Sequence, residues 1–250
     1  MTNKYMYFIA NWKMYGDLKS LNSMKKVIRF SKINIKKKFK IVYCPPYTLL
    51  DSFSKKINKT KIELGAQNCH FELYNGPYTG SISPTMIKKI GCKYVIIGHS
   101  ENRLEGENDN LINKKIKSCS KCNLNIIFCI GESLSEKKKN MTRKVLKTQL
   151  LKGLSKIRFL NKILIAYEPV WSIGTGVIPK IKDLEKDIIF IKNILKNNFK
   201  IKNPKVLYGG SVNDKNVKNL ASISSIDGFL VGGASQKAKK FIDIVKKTIN

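Results

Sequence analysis

The sequence predicts a closed parallel barrel of the (β/α)8 class, formed as a single α/β catalytic domain over residues 1–250. Short apolar runs alternate eight times with longer segments, most of them amphipathic. The 250 residues are 42% hydrophobic, which is enough for one large core. Polar residues and glycines follow nearly every apolar run. This repeated order favours a closed barrel over an open doubly wound sheet.

The eight apolar runs are short and end at polar or glycine signals, as buried strands do. They are residues 5–10, 40–44, 62–66, 94–97, 125–130, 162–167, 206–208 and 228–231. The clearest helices between them repeat apolar residues near the 3.6-residue period. These helices are 18–30, 108–122, 142–157, 184–197 and 241–249.

Composition bears on the cellular location of the protein and on whether it binds a metal. No apolar run is long enough to cross a bilayer, and the first residues lack a signal-peptide pattern, so we expect a cytoplasmic protein without membrane association. Six cysteines are scattered along the chain. Cys119 and Cys122 have the CxxC spacing, but a structural zinc site needs a second pair that the sequence lacks. We therefore expect reduced thiols on a helix face and no metal.

The formal charge of +31 comes from lysine, since only four of the 48 basic residues are arginines. Proteins that read base sequence favour arginine, whose planar fork pairs with bases, so we expect no specific nucleic-acid partner. The charge is instead expected to concentrate small anionic substrates around the protein.

A candidate catalytic base follows the sixth predicted strand. Glu168 is followed at once by Pro169, and then by Trp171, Gly174 and Gly176. A carboxylate at a strand end, beside a loop with an aromatic anchor and glycines, is typical of a base covered by a lid.

Two further groups stand at strand ends that a barrel brings to the same rim. Lys13 comes directly after the first strand, and His99 follows the fourth in a Gly-His-Ser-Glu sequence. A base, a cation and an imidazole suit proton abstraction next to a carbonyl, because the last two stabilise the oxyanion that forms. Ser211 and the pair Gly232 and Gly233 follow the seventh and eighth strands, where barrels bind phosphate through backbone N–H groups.

These motifs, taken in order, resemble the triosephosphate isomerase family over the full length of the chain. The matching stretches are Asn11-Trp-Lys-Met14, Gly65-Ala-Gln-Asn68, Ile97-Gly-His-Ser-Glu101, Cys129-Ile-Gly-Glu132, Ala166-Tyr-Glu-Pro-Val-Trp171, Ile173-Gly-Thr-Gly176, Tyr208-Gly-Gly-Ser-Val212 and Asp227-Gly-Phe-Leu-Val-Gly-Gly-Ala-Ser235. The resemblance implies a TIM barrel that interconverts dihydroxyacetone phosphate and D-glyceraldehyde 3-phosphate, in glycolysis and gluconeogenesis, without a cofactor.

The resemblance also implies residue roles. Glu168 is the proton-shuttling base, neutral His99 the electrophile and Lys13 the cation beside the enediolate, while Asn11 orients the substrate. The backbone holds the phosphate at Gly174, Ser211, Gly232 and Gly233. Supporting positions are Glu101, Ser100 and Tyr208.

A homodimer through the loop from Cys69 to Ser83 is implied as well. The chain departs from the family at the subunit interface, where Ser81 and Asn102 replace an acidic and a basic residue that pair across it. We expect a dimer that dissociates more easily than is usual for the family. Tyr15 replaces the usual Asn at the interface, and the segment from Arg103 to Glu107 is about one residue short.

A further departure lies in the lid. Pro179 occupies the position whose backbone N–H usually bonds Tyr208 when the lid closes, and proline has no N–H. We therefore expect Tyr208→Phe to be milder here than in typical relatives.

Two alternatives remain open. One is a different barrel enzyme that acts on another phosphorylated substrate. The other is a lysine-rich degenerate barrel with a non-enzymatic anion- or nucleic-acid-binding role, which would group arginines and aromatic residues on one face.

Overall fold

The structure is a computed structural model that describes residues 4–249, so the outermost ends of the predicted domain, 1–3 and 250, lie outside it. Eight parallel strands pair in sequence order, and the first also pairs with the last, which closes the barrel. The strands are β1 Met6–Asn11, β2 Phe39–Cys44, β3 Glu63–Ala66, β4 Tyr94–Ile97, β5 Asn125–Ile130, β6 Ile163–Tyr167, β7 Lys205–Tyr208 and β8 Gly228–Val231. The predicted TIM barrel is confirmed, with each strand within one residue of its expected limits.

Helices surround the strands. The α-helices are α1 Met24–Ile33, α2 Leu50–Ile57, α3 Pro84–Lys89, α4 Ser100–Leu104, α5 Asp109–Lys121, α6 Leu134–Lys138, α7 Thr142–Gly153, α8 Ile181–Phe199, α9 Val217–Ala221 and α10 Ala238–Ile249. Short 3₁₀ helices lie at Leu18–Ser23, Tyr47–Leu49, Leu160–Lys162, Val170–Ser172 and Gly233–Gln236. The first predicted helix, 18–30, is thus part 3₁₀ and part α-helix.

The strands are apolar because both of their faces are covered. One set of side chains, such as Ile9, Val42 and Leu230, fills the barrel interior. The alternate set, such as Phe8 and Phe128, packs against the helices. This arrangement explains why strands such as β6 are continuously apolar and do not alternate with polar residues.

The six cysteines are free thiols in this structure. Cys119 is buried in α5, and Cys122 caps the C-terminal end of that helix. The sulfur of Cys119 lies 3.2 Å from that of Cys69, at the start of the loop from Cys69 to Ser83. Within residues 4–249, no group of three or more acidic, histidine or cysteine side chains is placed to hold a metal ion. No α-helix in that range is long and apolar enough to cross a membrane.

Candidate active site

A single cleft of about 310 Å³ at the carboxyl end of the barrel brings the predicted catalytic and substrate-binding positions together. Its walls come from the segments that follow five different strands, so only the closed barrel places these residues side by side. Every residue assigned to catalysis or substrate binding lines it, namely Asn11, Lys13, His99, Glu168, Gly174, Ser211, Gly232 and Gly233. Lys237 and Lys240 also line this cleft.

Lys13 has a left-handed backbone with φ of 57°, which costs energy for a residue with a side chain. Its neighbours hold it there. The backbone N–H of Lys13 donates to Asn11 Oδ1 at 3.1 Å, and its carbonyl accepts from Gln67 Nε2 at 2.8 Å. Lys13 Nζ then lies 2.7 Å from Glu101 Oε1. The loop after β1 is therefore fixed so that an ammonium group faces the cleft.

His99 is the N-terminal cap of α4. Its Nδ1 accepts a hydrogen bond of 3.2 Å from the backbone N–H of Glu101, which is typical of a residue that caps a helix through its side chain. Because Nδ1 is an acceptor, the neutral ring carries its proton on Nε2. Nε2 lies 3.3 Å from Glu168 Oε1. Ser100 follows His99 in the chain as the first residue of α4, and it is buried.

Two opposing influences act on the pKa of His99. Burial of the imidazole, the largest influence, lowers this pKa, while the carboxylates of Glu168 and Glu101 raise it. Their combined effect leaves the pKa of His99 above its ordinary value of 6.5. Glu168 is the larger of the two raising influences, so the raised pKa depends on that carboxylate staying beside the ring.

Glu168 is buried, and the backbone around it is held on both sides. Its N–H donates to the carbonyl of Ile130 at 2.8 Å. A Cβ at Gly131 would lie 1.8 Å from the carbonyl oxygen of Glu168, and one at Gly209 would lie 2.7 Å from its Cγ. Glycine is thus required at both positions for the close approach of the chain. Within the described residues, Glu168 Oε2 is buried without a hydrogen-bond partner.

The first hinge of the loop after Glu168 is anchored by Glu132. Trp171 Nε1 donates to Glu132 Oε1 at 2.9 Å, and the Tyr167 hydroxyl donates to Glu132 Oε2 at 3.1 Å. Lys137 Nζ lies 3.7 Å from the centre of the Trp171 ring, in a cation–π contact. Trp171 is therefore held at its edge and on its face.

The hydroxyl of Ser172 ties this loop together. It is fully buried and donates to the carbonyl of Val177 at 2.6 Å, across the loop. A serine hydroxyl has one proton, so the 3.0 Å contact with the Tyr208 hydroxyl has tyrosine as the donor. The backbone N–H of Ser211 also approaches Ser172 Oγ, at 3.4 Å. One oxygen thus connects the loop after β6, strand β7 and the loop after β7.

Side chains hold the loops after β7 and β8 on the side away from the cleft. Asn216 Nδ2 donates to the carbonyl of Ser211 at 2.8 Å. Ser235 Oγ donates to the carbonyl of Gly232 at 2.7 Å, and Trp12 Nε1 donates to the carbonyl of Ser235 at 3.1 Å. A Cβ at Gly233 would meet no atom within 4 Å, so this glycine faces open space.

Three supporting residues were not assigned a role from the sequence, namely Gln67, Glu132 and Ser172. Gln67 and Glu132 stand at strand ends, so their place on the rim was visible. Apart from the contact of Glu132 with its own backbone, their partners are at least 23 residues distant in sequence. Ser172 gave no signal, because its role depends on how the loop folds back on itself.

Comparison with known proteins agrees with this geometry. Residues 6–248 match the family model described as triosephosphate isomerase. Triosephosphate isomerase of Thermodesulfovibrio yellowstonii is 42% identical over 245 residues, covering 96% of this chain and 98% of the relative. The enzyme of Dictyoglomus thermophilum is 44% identical over 244 residues, with 95% and 97% covered.

A solved structure extends the likeness to three dimensions. The crystal structure of triosephosphate isomerase from Bartonella henselae matches with a TM-score of 0.88 at 36% identity, over 97% of this chain and 98% of that one. The family match spans nearly the whole chain, and the two relatives above exceed 40% identity at near-complete coverage. The chain belongs to the triosephosphate isomerase family.

Proposed function

We propose that Glu168, His99 and Lys13 carry out the reaction in the cleft of a single catalytic domain over 1–250. Membership of the family assigns triosephosphate isomerase activity, the interconversion of dihydroxyacetone phosphate and D-glyceraldehyde 3-phosphate in glycolysis and gluconeogenesis. The observation that best supports the residue roles is the 3.3 Å distance between Glu168 Oε1 and His99 Nε2, in the cleft that Lys13 lines. Base and electrophile are within reach of the same small molecule.

Glu168 removes a proton from the carbon next to the substrate carbonyl. The electron pair of the broken C–H bond forms a carbon–carbon double bond, and the carbonyl oxygen gains the negative charge of an enediolate. The proton of the neighbouring hydroxyl then passes to the former carbonyl oxygen through His99. Glu168 returns its own proton to the former carbonyl carbon, which completes the exchange of aldehyde and ketone. The step is redox-neutral overall and, as the resemblance implies, needs no cofactor.

His99 and Lys13 stabilise the enediolate oxygens, His99 by donating from Nε2–H and Lys13 through its charge. The substrate would lie between Glu168 and His99, which separates the ring from the carboxylate that raises the pKa of His99 most. Burial of the ring, the largest influence on this pKa, and the N–H bond from Glu101 to Nδ1 then favour the neutral imidazole, against the Glu101 carboxylate, which still raises the pKa. Proton transfer from a neutral donor of this kind suits a weakly acidic enediol.

The substrate phosphate is held by the backbone at Gly174, Ser211, Gly232 and Gly233, and Asn11 orients the carbon chain. Backbone N–H groups provide directed hydrogen bonds to a phosphate without adding a second titrating group. Closing the loop from Pro169 over the site excludes water, which keeps the enediolate from losing phosphate.

A coupled assay with D-glyceraldehyde 3-phosphate tests these roles. We expect wild-type turnover and a loss of about 100-fold in kcat for Glu168→Asp, because shortening the side chain moves the carboxylate by about 1 Å. Near-normal kcat in Glu168→Asp would show that another group is the base. Absence of wild-type turnover would favour a non-enzymatic anion-binding role.

We also propose a homodimer through the loop from Cys69 to Ser83. Large apolar side chains in this loop and in the segment after β1 are exposed, as in an interface that is not covered by a partner. Tyr74 is 70% exposed, Met14 93% and Tyr15 60%. With Ser81 and Asn102 in place of an ion pair, we expect dissociation at measurable concentrations. A subnanomolar dimer in analytical ultracentrifugation would contradict this weakening.

Glycolysis is cytoplasmic, and this is the location we propose.

A further inference from the structure

The two ends of the barrel differ in charge. Seven segments enter strands β2 to β8 at the end opposite the active site, and they are 34–38, 58–62, 90–93, 122–124, 154–162, 200–204 and 222–227. Together they contain eleven lysines and arginines and one acidic residue. The segments between the strands and the next α-helix at the active-site end contain five basic and five acidic residues. Among these loops, the excess of positive charge thus lies at the end away from the catalytic cleft.

The one acidic residue in the segments that enter β2 to β8 does not neutralise their solvent-exposed positive charge. Asp227 is 1% exposed, and its carboxylate is already paired with Lys4, Lys192 and Lys205. Among residues 4–249, no carboxylate lies within ion-pair distance of Lys156, Arg158, Lys200 or Lys202.

Two clefts at this end meet at Arg158, and we call them together the basic groove. The first, of about 360 Å³, is lined by Lys117, Lys121, Lys156 and Phe159 together with Arg158. The second, of about 510 Å³, includes Lys200, Lys202 and Lys205. Neither cleft has an acidic residue in its lining.

Phe159 distinguishes the basic groove from a merely charged surface. Its side chain is 55% exposed, although a large aromatic ring is normally buried. It lies next to Arg158 in the chain, at the border of the two clefts. Exposed aromatic rings beside cations are how proteins hold single-stranded nucleic acids, because bases stack on the ring while phosphates pair with the cations.

We propose that the basic groove binds single-stranded nucleic acid without sequence preference. The concave lining and the exposed ring favour a flexible strand whose bases can turn toward Phe159. Lysine supplies most of the charge, and a lysine acts as a point charge on phosphate more than as a reader of base edges. The groove lies across the barrel from Glu168, so occupancy leaves the isomerase site open.

Fluorescence anisotropy with a labelled oligouridylate of about 12 nucleotides tests the proposal. One variant removes four cations of the groove through Lys156→Gln, Arg158→Gln, Lys200→Gln and Lys202→Gln. A matched control removes four exposed cations from the outer faces of α1 and α7 through Lys25→Gln, Lys26→Gln, Lys144→Gln and Lys147→Gln. Both variants lower the net charge by the same amount, and unfolding curves and isomerase kcat/KM verify that both are folded.

We expect the groove variant to bind at least about tenfold more weakly at low salt, with the slope of log affinity against log salt smaller by about three, as four lost phosphate contacts predict for a single strand. The control should change affinity by less than about threefold. Phe159→Ala should weaken binding about tenfold through lost stacking, and the same sequence as a duplex should bind less tightly than the single strand.

Several outcomes would overturn the proposal. Equal losses in the groove variant and the control would mean that dispersed charge, and not this groove, holds the strand. Equal binding of single strand and duplex, or an unchanged Phe159→Ala, would exclude stacking. Loss of binding to phosphatidylserine vesicles in the groove variant, with oligouridylate binding unchanged, would assign the surface to a membrane. Each result stands apart from the isomerase assay, so failure of one proposal does not decide the other.

Discussion

The hydroxyl of Ser172 offers a direct way to disturb the lid without touching the reacting groups. It joins Val177 across the lid, the Tyr208 hydroxyl and the N–H of Ser211. Pro179 has no N–H, so Tyr208 cannot bond the lid at that position. We therefore expect Ser172 to be the group through which Tyr208 holds the lid in this chain.

The expected loss of kcat/KM in each variant depends on which hydroxyl group it leaves without a hydrogen-bond partner. Tyr208→Phe removes one donor from Ser172 Oγ, which keeps its other partners, so the loss is about 1 kcal/mol, or about fivefold in kcat/KM. Ser172→Ala leaves the Tyr208 hydroxyl buried without a partner, at a cost of about 1–3 kcal/mol. This corresponds to a loss of about 5- to 150-fold. The Val177 carbonyl adds little, because Val177 is exposed and its carbonyl can bond water.

A double variant tests whether the hydroxyls of Ser172 and Tyr208 act through their shared hydrogen bond or independently of each other. With Phe at 208 no hydroxyl is stranded, so Ser172→Ala combined with Tyr208→Phe should be no worse than Ser172→Ala alone. Isomerase kcat/KM and inorganic phosphate released per turnover are measured together, because a loosened lid lets the enediolate lose phosphate. Tyr5→Phe, at the opposite end of the barrel, controls for the loss of a tyrosine hydroxyl. Additive effects, or a Ser172→Ala variant within about twofold of wild type, would refute the reasoning.

Other predictions concern charge. Burial raises the pKa of Glu132 above its ordinary value of 4.5, although the bonds from Trp171 and Tyr167 lower it. The folded state therefore binds this proton more readily than the unfolded chain, and the penalty of the buried carboxylate is relieved as pH falls through the raised pKa. Trp171 fluorescence should titrate with a midpoint above 4.5, and Glu132→Gln should abolish that titration; a midpoint at or below the ordinary value would contradict it. Lys137→Gln removes the cation over Trp171 and should destabilise the first hinge by about 0.5–1 kcal/mol, measured as faster proteolysis of the lid; unchanged cleavage would exclude the contact. Lys237→Gln with Lys240→Gln should lower kcat/KM about threefold at low ionic strength and leave it unchanged at high salt, because exposed charges are screened there; a salt-independent loss would point to direct binding.

The strands could be predicted almost residue by residue, because a parallel strand covered on both faces leaves a continuous apolar run such as β6. Helices α2, α3, α4, α6 and α9 were not among the clear predictions, since each has eight residues or fewer and shows the helical period too briefly. The first predicted helix begins as a 3₁₀ turn, where Asp17 and Ser20 form a capping box.

The cleft residues could be predicted because each marks a strand end, and a barrel gathers all strand ends on one rim. The contacts that position them could not. The side chain of Gln67 donates to the carbonyl of Lys13, which is 54 residues away in sequence. The hydrogen bond from Ser172 to Val177 depends on the path of a single loop. The grouping of lysines at one end was equally hidden, because in the sequence they lie on every predicted helix and only the barrel separates its two ends.

Solvent deuterium incorporation tests the role of Glu168 most directly. When the wild-type enzyme converts D-glyceraldehyde 3-phosphate in D₂O, NMR should find deuterium on the carbon next to the product carbonyl, because the proton held by Glu168 exchanges with solvent during turnover. In Glu168→Asp, isomerisation and deuterium incorporation should slow together by about 100-fold. Incorporation at the wild-type rate in that variant would show that another group moves the proton.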